Sequence, residues 1–476
     1  MYNYSASNFH SVRNIEECIL LYQYHYKNKT FTFSDGPSPQ LENIFTVIVG
    51  KNGTGKSRLL KSIIEEFVGR SNRGGIYTNR KDLLSERSGR LTAYSEPTKI
   101  IAVSTSPFDK FPIDLHDNIH DDYSYLGLRS LRATDLGMAY MAKIFLSLIT
   151  SAQEDISRPE RICDVLEYLG YSPILTARYH FDIPIIKVRE LFNSNNPVGH
   201  FIDEFLADNE RSNPIRRSRF RSFYSDNNEL SIEKIERFLD IYKRLDFSIN
   251  KPRLEVVLMR DGVFLSADSI TIQDDLVFLI ESGLARLRNI NLEKSKSHEA
   301  FRIGDASSGE QSVVMSILGI ASQITDGALI CIDEPEVCLH PEWQEKYIEL
   351  LINTFRDYKQ CHFIIATHSP LIVSKLEDEN CYLMKMEDGE LVHGSLVNNQ
   401  SVDFQLANTF KTPGYKNEYL SRELISMLSS FGESGELDPD IIKNIKKILL
   451  LKDMLNDSDP VKKLMDMAEE VMGEVS

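Results

Sequence analysis

With 476 residues, 42% of them hydrophobic and 26% charged, the chain has an ordinary globular composition and enough length for two or three domains with buried cores. Its net charge of -16 argues against broad nonspecific wrapping of nucleic acid, which is led by lysine and arginine on phosphates, so any such contact has to be local. No apolar run approaches the roughly 18 residues of a membrane span, nothing at the start pairs a basic stretch with an apolar core, and six cysteines without a CxxC pair suit reduced thiols in a cytoplasm.

In chain order, "ILLYQYHYK" and "TFTF" alternate as strands do, and "NIFTVIVG" is the continuous apolar run of a buried parallel strand. "SRLLKSIIEEFVG" then has helical spacing and a plausible C-cap at Gly69. A polar, glycine-rich patch leads to a second buried strand, "KIIAVST". From about 120 to 250 the apolar residues recur at three and four, which predicts a compact helical insertion. Its helices are short and broken by proline and glycine, so a long coiled-coil arm is not expected. "RLEVVLMRDGVFLSA" and "CYLMKMEDGELVHG" predict hairpins turning at Asp261-Gly262 and Asp388-Gly389. The last seventy residues turn helical again. The expected organisation is therefore residues 1–115 and 251–400 as two parts of one α/β head, 116–250 as the insertion, and 401–476 as a helical tail.

"VIVGKNGTGKS" satisfies G-x-x-x-x-G-K-[ST] with Gly50, Gly55, Lys56 and Ser57, and it stands between a predicted strand and a predicted helix. In such a loop, here Gly50, Lys51, Asn52, Gly53, Thr54, Gly55, Lys56 and Ser57, successive backbone N–H groups turn inward around phosphates. Lys56 reaches the β and γ groups of ATP, and Ser57 offers its hydroxyl to Mg²⁺. The N-terminus of the following helix adds its partial positive charge. Downstream, "GALICIDEPEVCLHP" ends a buried strand in two carboxylates. Asp333 can hold Mg²⁺ and Glu334 can polarise the attacking water, although an acidic surface pair would look the same. "HFIIATHSP" delivers His368 into a loop where an imidazole could touch the γ-phosphate; a lone histidine is more often structural.

One short stretch remains, "ASSGEQS", some 250 residues after the first loop. Ser308 and Gly309, followed by Glu310 and Gln311, would place a hydroxyl and backbone N–H groups at the positive end of the helix "SVVMSILGIASQI". Since one phosphate cradle already exists, a second anion site is useful if it faces the γ-phosphate held by another copy.

These motifs, in this order, resemble those of the ABC-type P-loop ATPase heads, and among them the RecF, SMC and OLD-like group. The resemblance implies an α/β head with a mixed and parallel sheet flanked by helices. It also implies Lys56 and Ser57 on phosphate and Mg²⁺, Asp333 on Mg²⁺, Glu334 as catalytic base, His368 as γ-phosphate sensor, and the Ser308–Gln311 signature acting in trans across a homodimer. Ser307 and Glu310 replace the leucine and second glycine of the usual LSGGQ, and "KIIAVSTSPFDKFP" lacks a Q-loop glutamine. Within the group the chain is most similar to the PtuA family, ATPase subunits of the Septu anti-phage system. That similarity implies a bacterial cytoplasm, a homodimer or higher oligomer, and a PtuB-like HNH nuclease subunit as partner. A RecF-like DNA-repair clamp shares every motif and is the alternative reading.

Two further patches stand out. "RSNPIRRSRFRSFYSD", with Arg216, Arg217, Arg219 and Arg221, could track the phosphates of DNA with stacking rings, or be a solvated loop that pairs with the chain's own acids. The apolar positions Ile441, Ile442, Ile445, Ile448, Leu449 and Leu450 could dock a partner or pack internally.

Overall fold

The computed structural model describes residues 21–36, 42–71, 90–93, 95–113, 122–129, 136–181, 185–206, 223–224, 229–244, 254–266, 271, 275–282, 284–337, 339–376, 380–434 and 436–475. The strands are β1 (Gln23–Tyr26), β2 (Lys29–Thr32), β3 (Ile44–Val49), β4 (Arg90–Thr92), β5 (Ile100–Ser104), β6 (Tyr123–Gly127), β7 (Ile174–Phe181), β8 (Leu254–Met259), β9 (Gly262–Leu265), β10 (Ala285–Glu293), β11 (Ala300–Arg302), β12 (Leu329–Asp333), β13 (His362–Ala366), β14 (Cys381–Lys385) and β15 (Leu391–His393). The principal helices are α1 (Lys56–Ser71), α2 (Leu136–Glu154), α3 (Arg158–Tyr168), α4 (Ile232–Arg244), α5 (Ser308–Gln323), α6 (Pro341–Thr354), α7 (Glu418–Ser434), α8 (Pro439–Leu449) and α9 (Pro460–Val475). The fold class is α/β, as the sequence predicts. The chain divides into two compact units, one of Met1–Ile100, Thr325–Cys331 and Tyr358–Ser476, the other of Ile101–Ile324 and Ile332–Asp357.

In the first unit, β3 lies parallel to both β13 and β14, and β15 closes on β14 in the antiparallel sense. A strand flanked on both sides and covered on both faces has no polar alternation to show, and every residue of β3 is buried. His362 N–H donates to Ala328 O and Leu329 N–H to Lys99 O, which carries the ladder onward from β13. A smaller antiparallel sheet runs β2-β1-β4. Its hairpin turns through Lys27 and Asn28 at φ 49° and 65°, the doubly left-handed geometry whose twist matches paired strands. The tail helices α7, α8 and α9 enclose their own core, with Leu424, Met427, Ile445, Ile448 and Met465 buried in it. The apolar stripe of α8 is therefore spent largely inside the tail, leaving Leu450 78% exposed.

The second unit is built on an antiparallel sheet of order β11-β10-β7-β8-β9, against which α2 and α3 pack. The guanidinium of Arg158, almost fully buried, donates to Ala321 O (3.1 Å) and Ile324 O (2.6 Å). It thus satisfies carbonyls that the C-terminal end of α5 leaves open. Arg260, in the β8–β9 turn, bonds Asp164 (2.6 Å) and Glu167 (2.7 Å) on α3.

Three sequence expectations change. The segment 116–250 holds helices α2, α3 and α4 but also strands β6 and β7. Ile174–Phe181 alternates with period two in its burial, a pattern too short to stand out between helical stretches. The first hairpin turns at Arg260-Asp261, because Met259 pairs with Gly262, one residue earlier than predicted. Helix α1 runs past Gly69 to Ser71.

Candidate nucleotide site

The phosphate loop grows out of β3. At its end the chain has to reverse tightly into α1, and Gly53 and Gly55 supply φ of 82° and 101°, which residues bearing a Cβ adopt only at a cost. Thr54 ties the loop to its start, its N–H and hydroxyl both donating to Lys51 O (3.2 and 2.8 Å). Residues Lys51 to Thr54 are exposed while Lys56, the first residue of α1, is only 4% exposed. An ammonium that deep needs acceptors. The Lys56 Nζ donates to Gly50 O at 2.9 Å and to His368 Nε2 at 2.5 Å.

His368 stands just after β13, between buried Thr367 and Ser369. Ser369 N–H donates to Thr367 Oγ1 (2.9 Å), and Ser369 Oγ accepts from Leu371 and Ile372 N–H (3.2 and 3.3 Å), capping the short helix Pro370–Val373. The ring is thereby held at the P-loop. Burial, and then the charge of Lys56, push its pKa down to about 4, so at neutral pH it is an uncharged imidazole accepting from the ammonium. A phosphate oxygen arriving at Lys56 would compete with Gly50 O and the His368 ring for the ammonium.

Glu387, which sequence reasoning missed, braces this loop. It lies between β14 and β15, and its Oε1 accepts from Lys51 N–H at 3.1 Å while its carbonyl accepts from Lys29 Nζ at 2.7 Å. Gly389 in the same turn lies so near β2 that a Cβ there would meet Thr30 O at 2.3 Å. No local pattern announces Glu387, because its partner is 336 residues away.

The second unit carries the carboxylates and the signature. Asp333 ends β12 with 2% exposure. The Ser104 hydroxyl, at the end of β5, donates to its carbonyl at 3.4 Å. Asp333 and Ser312 line one small cavity with Ser104, Thr105, Ser316 and Tyr347. Glu334 is half-buried and has φ of 50°, a left-handed backbone that strains a residue with a Cβ and that clusters at functional positions. A turn follows it, Val337 N–H donating to Glu334 O.

At the signature the cap of α5 is Ser307, not Ser308: Ser307 Oγ accepts from Glu310 N–H at 3.2 Å. Ser308 is the first helical residue and is exposed, and Gly309 is buried. Glu310 and Gln311 turn to their own chain. Tyr171 O–H donates to Glu310 Oε1 at 2.7 Å, and Gln311 Nε2 donates to Ala306 O (2.8 Å) and Gly304 O (3.2 Å). The reason is the helix start: a glutamate at this position reaches the phenol, and the amide satisfies carbonyls of the preceding turn. Ser308 is thus the member of the four that solvent sees best.

The turn after β5 is built on Asp109. Its buried carboxylate accepts from Phe111 N–H (3.0 Å), Tyr125 O–H (2.7 Å) and Arg129 (3.1 Å). Arg216, Arg217, Arg219 and Arg221 lie outside the described residues. Among the described residues no group of three or more His, Cys, Asp or Glu could hold a metal by itself. A nucleotide-bound Mg²⁺, a hard cation that keeps waters and takes substrate phosphates as ligands, needs few protein donors.

Residues 175–374 match the family model described as "AAA domain, putative AbiEii toxin, Type IV TA system". The match takes in the signature, Asp333, Glu334 and His368 but not the P-loop. The chain is 22% identical over 382 residues to the "Retron Ec83 probable ATPase" of Escherichia coli, covering 71% of this chain and 67% of that protein. It is 22% identical over 264 residues to the "Retron Vc95 probable ATPase" of Vibrio cholerae serotype O1 biovar El Tor, covering 52% of this chain and 49% of that protein. The chain spans about two thirds and about half of the length of these relatives. Similar solved structures include an Smc head domain with an extended coiled coil from Pyrococcus furiosus, at 13% identity, TM-score 0.29 and coverage of 78% and 96%. Another is an ATP-binding cassette of an ABC transporter, at 12% identity, TM-score 0.26 and coverage of 83% and 96%. At TM-scores this low, neither likeness adds to what the chain's own loop and strands say.

Proposed function

We propose that the chain is an ABC-type ATPase head of a bacterial defence system, binding and slowly hydrolysing ATP. The observation that carries the proposal is the buried Lys56 ammonium, fixed at the start of α1 between Gly50 O and a neutral His368 imidazole. That contact supports reading Lys56 as the phosphate-binding cation and His368 as the group that senses its ligand. In this reading the loop amides and Lys56 hold the β and γ phosphates, and Ser57 and Asp333 hold Mg²⁺. The metal supplies charge neutralisation on the phosphates when bound. Glu334 accepts the proton of the attacking water, and His368 reports the γ-phosphate to the loop that follows β13. The names of the retron relatives support an ATPase in a defence setting.

Ser308, exposed at the start of α5, is proposed to meet the γ-phosphate of a second copy, so that two heads close on two nucleotides. The closed pair then controls an effector, for which an HNH nuclease subunit of the PtuB kind is the candidate. The test is direct. Lys56→Ala should abolish ATP binding, and Glu334→Gln should bind ATP yet release phosphate at least about a hundredfold more slowly. Normal turnover by the glutamine variant would remove Glu334 as base, and ATP binding by Lys56→Ala would remove the P-loop from the scheme.

A further inference from the structure

We infer that the outward face of the five-stranded antiparallel sheet binds the phosphate backbone of a nucleic-acid strand. One face of this sheet is covered by α2 and α3. The pairing registers put Arg302, Asn291, Thr176, Val257 and Phe264 in one row across all five strands. The next row sets Asn289 opposite Arg178, and the one beyond sets Arg286 opposite His180. Between them the ladder slips, leaving Arg288 as the extra, exposed residue. Arg178, His180, Arg286, Arg288 and Arg302 are all exposed.

The charge balance on this face runs against that of the chain, which is -16 overall. Its two acids are already engaged: Glu255 pairs with Arg178 at 2.6 Å, and Glu293 accepts from His298 (3.0 Å) and Ser172 (3.3 Å). Arg288 and Arg302 have no carboxylate partner among the described residues. At about 3.3 Å per residue along a strand, the guanidinium groups from Arg286 to Arg302 spread over roughly 17 Å, about five steps of a 3.4 Å per-strand rise. Planar guanidinium forks suit phosphate oxygens, and Phe264 and Ile174, 47% and 43% exposed, offer apolar surface to bases. With no groove to read base edges, the binding is led by the backbone and carries little sequence preference. The acidic remainder of the molecule repels the same polymer and so orients it on this face. The inference is independent of the nucleotide site.

The test uses the full chain and labelled 30-nucleotide probes (about that length) as single-stranded DNA, duplex DNA and RNA, titrated by fluorescence anisotropy between about 50 and 200 mM salt. At least one probe should bind, with affinity falling as salt rises. Combined Arg286→Glu, Arg288→Glu and Arg302→Glu should raise its Kd about tenfold or more and flatten the log–log salt slope by about two to three. Lys443→Glu with Lys463→Glu in the tail should change neither. If the triple variant fails to fold, Arg288→Glu with Arg302→Glu, both solvent-facing, should still weaken binding and flatten the slope by about one to two. No binding of any probe at the lowest salt, binding unchanged in the folded reversal variant, or equal capture of polyglutamate would overturn the inference.

Discussion

The left-handed backbone at Glu334 can be turned into a measurement. Its φ of 50° costs a residue with a Cβ about 1–2 kcal/mol, and the proline that follows disfavours it further by pushing the preceding residue toward extended conformations. Glu334→Gln keeps that cost. Glu334→Gly removes it while adding about 0.5–1 kcal/mol of unfolded-chain entropy, which leaves a net gain of about 0–1.5 kcal/mol. The glycine variant is expected to be as stable as the glutamine variant or up to about 1.5 kcal/mol more so, where at an ordinary φ it would be less stable by about 0.5–1 kcal/mol. Urea midpoints at equal slope compare the two, and phosphate release should fall by about 10²–10⁴ in both. A glycine variant less stable than the glutamine variant by about 0.5 kcal/mol or more, the outcome at an ordinary φ, would refute the idea that strain is held at this position.

Further outcomes concern neighbouring groups. His362, fully buried and accepted by Thr46 Oγ1 at 2.9 Å, is pushed down to about 3, and His368 to about 4, from an ordinary 6.5. Because the unfolded chain takes up these protons first, the stability they permit is complete above pH 6.5 and drains away as pH falls toward 4. Urea midpoints at pH 7 and pH 5 should diverge less in His368→Asn than in the parent chain; an equal divergence would refute the assignment for that ring. Glu387→Ala removes the acceptor of Lys51 N–H and should weaken nucleotide binding by about 0.5–1.5 kcal/mol with kcat unchanged; an unaltered Kd would detach Glu387 from the loop's function. Ser308→Arg should leave ATP binding intact and abolish ATP-dependent association in sedimentation; an unchanged dimer fraction would sink the trans contact.

Much of the fold was legible beforehand because its strands are of the kind that sequence reveals. β3, β12 and β13 are buried along their whole lengths, so each appears as an unbroken apolar run. The P-loop adds a residue pattern that few other structures need. β7 was hidden for the opposite reason: only one of its faces is buried, and eight alternating residues between α3 and the next helices resemble noise.

By itself, then, the sequence determined the α/β class, the buried strands and the glycine-rich loop after β3, since those depend on short-range spacing and burial. It did not determine which groups meet. The contact of Lys56 with His368, the brace from Glu387 to Lys51 and the hold of Tyr171 on Glu310 join residues 312, 336 and 139 positions apart. Such pairs leave no periodic trace, because a hydrogen bond across the fold constrains two side chains and nothing between them. The tertiary structure alone decided that Ser307 caps α5 while Ser308 faces solvent, and that Asp109 holds the turn after β5. The same holds for the arginines of β7, β10 and β11, which share one face only once the strands are in register.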